Sequence, residues 1–425
     1  MRWSWKGRQG WNLGRGLGPV AVGLLMWGSG IHPVSLNALG LGAPAQAQVL
    51  SPGVRDGFLA DPLADHPRDP LLPTPVVDRP LSPLERLALE QALNQLAQEA
   101  AALAAANQPE AAQALGLREV RLRRVLGLDA ELKAMDRVAL GLRDGNATQG
   151  LQLLSARLDQ VTPTLDLTQA GDREQLGEIA TLYRTLGYGD AATALRRTLA
   201  EAALARGDAR DHLTQLELLA KLYADWFDFP AAAATYGELV ALTEGAREMQ
   251  FLEQQIENLG FAQQLEAALE AQQHLLNRYQ EDPNRWIGVA ELQYAMAQNH
   301  QRLGDLAQAA RYYQVAYTNA IDGQQFEIAA QILGSLADLY GQIDQWPDVD
   351  YLYQQLLAVE RQSLDAYGLM ETLDHIGQLY EQTDNPRGAI QAYTEALALA
   401  HQLHYRQDHF LEQIHRLSAM ADPQP

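Results

Sequence analysis

From Leu84 onward, apolar residues recur at spacings of three and four, the period of an amphipathic helix, and no stretch shows the strict alternation of a half-buried strand. The chain therefore predicts helices throughout its body. The first begins cleanly, with Ser82 placed as N-cap, Pro83 at the first helical position and Glu85 three residues after the cap. Within the helical pattern a unit of apolar residue, small residue and tyrosine returns. It reads Ile179-Ala180-x-x-Tyr183, Leu219-Ala220-x-x-Tyr223, Leu336-Ala337-x-x-Tyr340 and Ile376-Gly377-x-x-Tyr380, with a weaker copy at Ala297 and His300. Nine residues after each come Ala192, Ala232, Ala309, Val349 and Ala389, and four further on Arg196, Tyr236, Tyr313, Tyr353 and Tyr393.

That spacing is two helices long. Turns between the paired helices are expected at Asn107, Gly145, Gly187, Phe227, Gly260, Gly304, Asp344 and Asp384, with successive steps near 40 residues. A small residue on the first helix lets the second approach closely, and the aromatic fills the space between successive pairs. The expected fold is all-α, an array of about eight antiparallel helical hairpins, ending in a capping helix over 406–420 whose Phe410, Ile414 and Leu417 share one face.

These residues resemble the tetratricopeptide repeat, most closely from Gln175 to Leu403 and more loosely over 84–161. The resemblance implies a right-handed superhelix, an α-solenoid. The chain departs from the family in its longer period, in mostly lacking the closing proline, and in having no tyrosine in the repeats anchored at Asn107, Gly145 and Gly260, which leaves an armadillo-like array as an alternative. The expected organisation is a leader over 1–47, a proline-rich disordered linker over 48–83, degenerate hairpins over 84–170 and tetratricopeptide-like repeats over 171–405.

The leader carries Arg2, Lys6, Arg8 and Arg15 ahead of a short apolar stretch, Leu17–Trp27, and a small-x-small site at Ala45-Gln46-Ala47. That is the layout of a secretory signal, although it is longer than usual. Export to a periplasm or similar compartment is expected, with membrane contact only if the leader is retained. The linker holds eight prolines, which favour extended chain.

Charge and composition narrow the chemistry. The chain has 32 Lys+Arg against 53 Asp+Glu, a net charge of -21, which excludes a duplex-binding surface. It has no cysteine, which removes disulfides, thiolate metal sites and thiol nucleophiles together. No phosphate loop, metalloprotease motif or nucleophile elbow occurs, so neither enzymatic activity nor a cofactor nor a metal is expected. The histidines His401, His404, His409 and His415 would share a face with Asp408 and Glu412 on one continuous helix, but the repeat places a turn at 403–406. The basic cluster Arg118, Arg121, Arg123 and Arg124 is expected to pair with Glu110, Glu119, Asp129 and Glu131. The rings of Trp226, Phe227 and Phe229, and of Tyr312, Tyr313 and Tyr317, are expected in the core.

By the family resemblance, the inner wall of the superhelix is lined from the first helix of each pair, at three before, one after and four after the small residue. This assigns Thr181, Arg184, Glu217, Lys221, Tyr294, Gln298, Gln301, Asp338, Asp374, Gln378 and Glu381 to a partner-binding groove. With Arg184 and Lys221 as its only cations, this wall disfavours acidic tails and suits a basic or polar extended peptide. The expectation is a non-enzymatic exported scaffold that binds a protein or peptide, with a self-assembling array or a membrane-tethered assembly factor as alternatives.

Overall fold

A computed structural model describes residues 50–64, 68–73, 79–281 and 287–421. The leader and its processing site lie outside them. Among the described residues every regular element is helical, and consecutive helices pack against one another.

A short helix, α1 (Pro52–Leu59), precedes eight hairpins. The first four are α2 (Pro83–Ala105) with α3 (Pro109–Arg123), α4 (Leu128–Asp144) with α5 (Thr148–Val161), α6 (Ala170–Leu186) with α7 (Gly189–Ala205), and α8 (Ala209–Asp225) with α9 (Phe229–Ala241). The second four are α10 (Ala246–Phe261) with α11 (Leu265–Glu281), α12 (Ile287–Arg302) with α13 (Leu306–Asp322), α14 (Phe326–Gly341) with α15 (Trp346–Ser363), and α16 (Ala366–Gln382) with α17 (Pro386–Leu403). A final helix, α18 (Gln407–Ala421), follows. No described helix is long and apolar enough to cross a membrane.

The turns inside the hairpins reverse the chain through one left-handed residue. It is Asn107, Gly187, Phe227, Gly304, Asp344 or Asp384 at six of them, whereas Asn146 and Gln263 take the conformation in place of the neighbouring Gly145 and Gly260. At α2 the capping box is complete, with the Glu85 carboxylate accepting from the Ser82 amide at 2.7 Å and the Ser82 hydroxyl accepting from the Glu85 amide. Ala192, Ala232, Ala309, Val349 and Ala389 are all buried, as are Ala180, Ala220, Ala297, Ala337 and Gly377 on the partner helices. At Gly377 the approach is closest, because a Cβ there would collide with the Tyr393 ring.

In the three hairpins that lack the tyrosine, buried carboxylates hold neighbouring helices together. Glu119 takes hydrogen bonds at 2.6 Å from both Arg123 and Arg137, Glu131 is held between Arg124 and Arg157 at 2.7 and 2.8 Å, and Glu248 accepts from Arg278 at 3.0 Å with His274 also at 3.0 Å. Each carboxylate is almost wholly shielded from water, so it persists only because cations from adjacent helices surround it.

The proline-rich segment departs from the expected disorder. Its Ser51 caps α1, Phe58 and Leu72 are buried, and Phe58 sits in the core formed by α4 to α6 with the Arg124 guanidinium 4.7 Å above its ring. Asp69 forms a two-pronged bridge to Arg118 at 2.7 and 2.8 Å. Residues 50–64 and 68–73 are therefore a strap on the first hairpins, because two buried apolar side chains and a paired carboxylate outweigh the preference of proline for free extended chain. Replacing Phe58 with alanine should cost about 3 kcal/mol in chemical denaturation, whereas a free linker would leave the midpoint unchanged.

Glu360, at the end of α15, is buried against α16, where its Oε1 accepts from Thr372 at 2.9 Å while Oε2 finds no hydrogen-bond partner among the described residues. Burial pushes its pKa up from 4.5 to about 7. The folded state thus holds this proton more tightly than the unfolded chain. The stabilisation is complete below about pH 4.5 and is lost as pH rises through about 7. Glu360→Gln should raise stability at pH 8 by the order of 2 kcal/mol and leave it nearly unchanged at pH 4, as read by melting at the two pH values.

Candidate functional site

The register positions assigned to the groove fall on the first helices of successive pairs, but they are not equally available. Glu217 is tied to Lys221 at 2.7 Å and to Arg247 at 3.2 Å, and the Lys221 ammonium beside it holds its pKa below the ordinary carboxylate range. Arg184 reaches Asp225 at 3.2 Å, both side chains remaining half in water. The Tyr294 ring leans on Tyr313 with centroids 5.8 Å apart, and its hydroxyl lies 2.9 Å from the Ser335 hydroxyl. Gln301 accepts from the Tyr313 hydroxyl at 2.7 Å. These side chains support the array.

Two assigned acids are not open groove residues. Asp374 is buried, with Arg406 at 2.7 Å and His409 at 3.0 Å on its two oxygens, and Glu381 accepts from Arg416 at 2.6 Å and from the Tyr393 hydroxyl at 2.7 Å. All three cationic or imidazole partners come from α18 or the residue before it. The capping helix lies where a following first helix would, so it consumes the charge that this position would otherwise present. Of the acids assigned to the groove, Glu217, Asp374 and Glu381 are thus each paired within the chain.

Gln298, Asp338 and Gln378 remain exposed. Asp338 makes no hydrogen bond or ion pair with any described side chain. Its carboxylate can be reached by water, yet surrounding atoms desolvate it enough to raise its pKa, an effect partly opposed by His375. Asp338 and Gln378 line one cavity of about 460 Å³ between α14, α15 and α16. The second helix of the pair contributes Trp346 and Tyr353, and α16 adds His375 and Gln382. The Tyr353 and His375 rings are stacked with centroids 5.9 Å apart and planes 30° apart. His375 and Gln382 lie on a first helix and Gln342 directly after one, all outside the three family positions, and Trp346 and Tyr353 come from the other helix of the pair. A rule confined to those three positions does not find them.

Several other expectations resolve at this level. Arg123 and Arg124 bond to Glu119 and Glu131, but the partner of Arg118 is Asp69 from the strap, and Asp129 instead holds Lys133 at 2.9 Å. Phe227 is not core, being 78% exposed, and Trp226 is 42% exposed. Their position explains this, because the left-handed turn at Phe227 projects its ring outward while Trp226 lies over Gly189. Tyr313 is buried, and Tyr312 and Tyr317 are half-buried. His404 terminates α17 in a left-handed conformation, so His401 and His404 are not on the helix that carries Asp408, Glu412 and His415. Among the described residues no group of three or more candidate ligands is placed to hold a metal ion.

No protein-family model matches the chain, and no curated protein does. Among solved structures it is similar to BtubC from P. vanneervenii, at 18% identity over 51% of this chain and 92% of that one, with a TM-score of 0.36. It is also similar to aspartyl phosphate phosphatase F from Bacillus subtilis, at 14% identity over 82% and 81% of the two chains, with a TM-score of 0.37. A Rap protein complexed with competence and sporulation factor is similar at 14% identity over 79% of this chain and 99% of that one, with a TM-score of 0.30. The array of paired helices is tetratricopeptide-like. The register of small and aromatic residues at the contacts between paired helices carries that likeness.

The pairing of Asp374 predicts a local effect. Asp374→Ala removes both bonds to the α18 end, and hydrogen bonds to charged groups are worth about 1.5 to 3 kcal/mol each at most. Hydrogen exchange should accelerate in α16 to α18 and stay unchanged in α6 to α9, because each pair in a stack contacts only its neighbours. Uniform acceleration along the chain would contradict this.

Proposed function

We propose that this chain is a non-enzymatic scaffold that holds a protein or peptide segment along the inner face of its helical array, and that it works outside the cytoplasm. The observation that carries the binding role is the recurrence of exposed, polar, hydrogen-bonding side chains, Gln298, Asp338 and Gln378, on the first helices of three successive hairpins, with a cavity of about 460 Å³ opening beside two of them. Amide side chains offer a donor and an acceptor each, which suits the alternating N–H and C=O groups of an extended peptide. The segment is basic or polar, because Asp338 is an acid bridged to no lysine or arginine and none lines the cavity. Export rests on the four cations and the apolar stretch at the start of the chain.

A photo-crosslinker at position 298, followed by fractionation of the cells, tests both parts. The adduct should contain one recurrent partner joined through an unstructured segment and should be found outside the cytoplasm, on a chain shortened to near Gln48. Adducts only between copies of this chain would instead establish the self-assembling array, and full-length adducts in the cytoplasm would refute export.

A further inference from the structure

Asp338 stands apart from the other acids of the groove face. Glu217, Asp374 and Glu381 are each spent on a cation from beyond their own helix, whereas the Asp338 carboxylate makes no hydrogen bond or ion pair with a described side chain and lines the cavity between α14, α15 and α16. A carboxylate held partly out of water and left unpaired is costly, and the cost is recovered when a ligand supplies donors. The remaining walls restrict which ligand that is. No lysine or arginine lines the cavity, so an anion finds no permanent counter-charge there. Three side-chain amides, from Gln342, Gln378 and Gln382, line the same cavity and offer further acceptor oxygens. Trp346 and the stacked pair of Tyr353 and His375 add flat ring surfaces.

We propose that this cavity is a subsite for an arginine side chain of the bound segment, with the guanidinium donating to the Asp338 carboxylate and glutamine amide oxygens and its plane lying against the cavity's aromatic rings. The proposal rests on the groove reading above and adds the residue that the groove selects. Guanidinium is favoured over ammonium on three counts. Its five donors match a site rich in acceptors, its planar form stacks on aromatic faces, and its weaker hydration makes entry into a partly enclosed trough less costly. At about 460 Å³ the cavity also accommodates more than the side chain alone, leaving room for the flanking peptide backbone.

The test uses the full chain and three short capped peptides, identical except for a central arginine, lysine or citrulline. Citrulline keeps the shape and loses the charge. Titration is followed by NMR of the tryptophan and glutamine side-chain N–H signals. The arginine peptide should bind at least tenfold more tightly than the citrulline peptide and several-fold more tightly than the lysine peptide, and Asp338→Asn should remove that preference while melting as the parent does. Equal binding of arginine and citrulline peptides, a preference undiminished in Asp338→Asn, or free arginine binding as tightly as the capped peptide would each overturn the subsite. A partner crosslinked from position 298 that binds without regard to arginine would overturn the subsite and leave the groove reading intact. Conversely, an arginine preference lost in Asp338→Asn, together with no partner captured from position 298, would sustain the subsite and overturn the scaffold.

Discussion

The structure depends on the contact between a small residue on the first helix of a pair and an aromatic ring on the second. At Gly377 there is no room for even one carbon beneath the Tyr393 ring. Neither helix buries its apolar stripe alone, so the close approach must be specified at each repeat rather than once for the domain. The same ring extends from core to groove. The hydroxyls of Tyr313 and Tyr393 donate to Gln301 and Glu381, each of which lies four residues after the small residue of its own repeat. Side chains on the groove face are thus aimed by contacts made inside the core.

The hairpins that lack the first-helix tyrosine show a different solution. Glu119, Glu131 and Glu248 occupy the three hairpins without a repeat tyrosine, and arginines from the same and neighbouring elements converge on them. Buried ion pairs of this kind are a weak source of net stability, but removing one partner strands a charge, so they fix the helices in one arrangement. The N-terminal hairpins use the most such pairs, and they are also the ones fastened by the strap through Phe58, Leu72 and Asp69. The end of the chain is closed by charge as well as by apolar packing, since α18 and the residue before it deliver Arg406, His409 and Arg416 to Asp374 and Glu381.

This distribution governs what the groove face offers. A net charge of -21 suggests a uniformly acidic surface, yet the acids at register positions are largely neutralised by the next helix along. What remains without an ion pair among the described residues is local, Asp338 among amides and rings. On the proposed reading, selectivity comes from that one cavity more than from the long-range field of the array, which is screened over about 8 Å at physiological salt.

The sequence by itself determined the class of fold, the pairing of helices, the placement of the turns within a few residues, the start of α2 and the identity of the buried small positions, because each follows from periodicity and local steric demand along one chain. The resemblance to the repeat family also put Asp338 and Gln378 at one register position, each directly after the small residue of its own repeat. The tertiary structure decided everything that depends on a second helix arriving at a given spot. Only there did Asp374 and Glu381 become covered by α18, Asp69 find Arg118 across 49 residues, and Phe227 turn outward instead of inward. The cavity itself required Trp346 and Tyr353 from α15 to meet His375 from α16. Charges and concavities belong to the space between helices, and a pattern read along a single helix contains the residues that line that space without containing the partners that fill it.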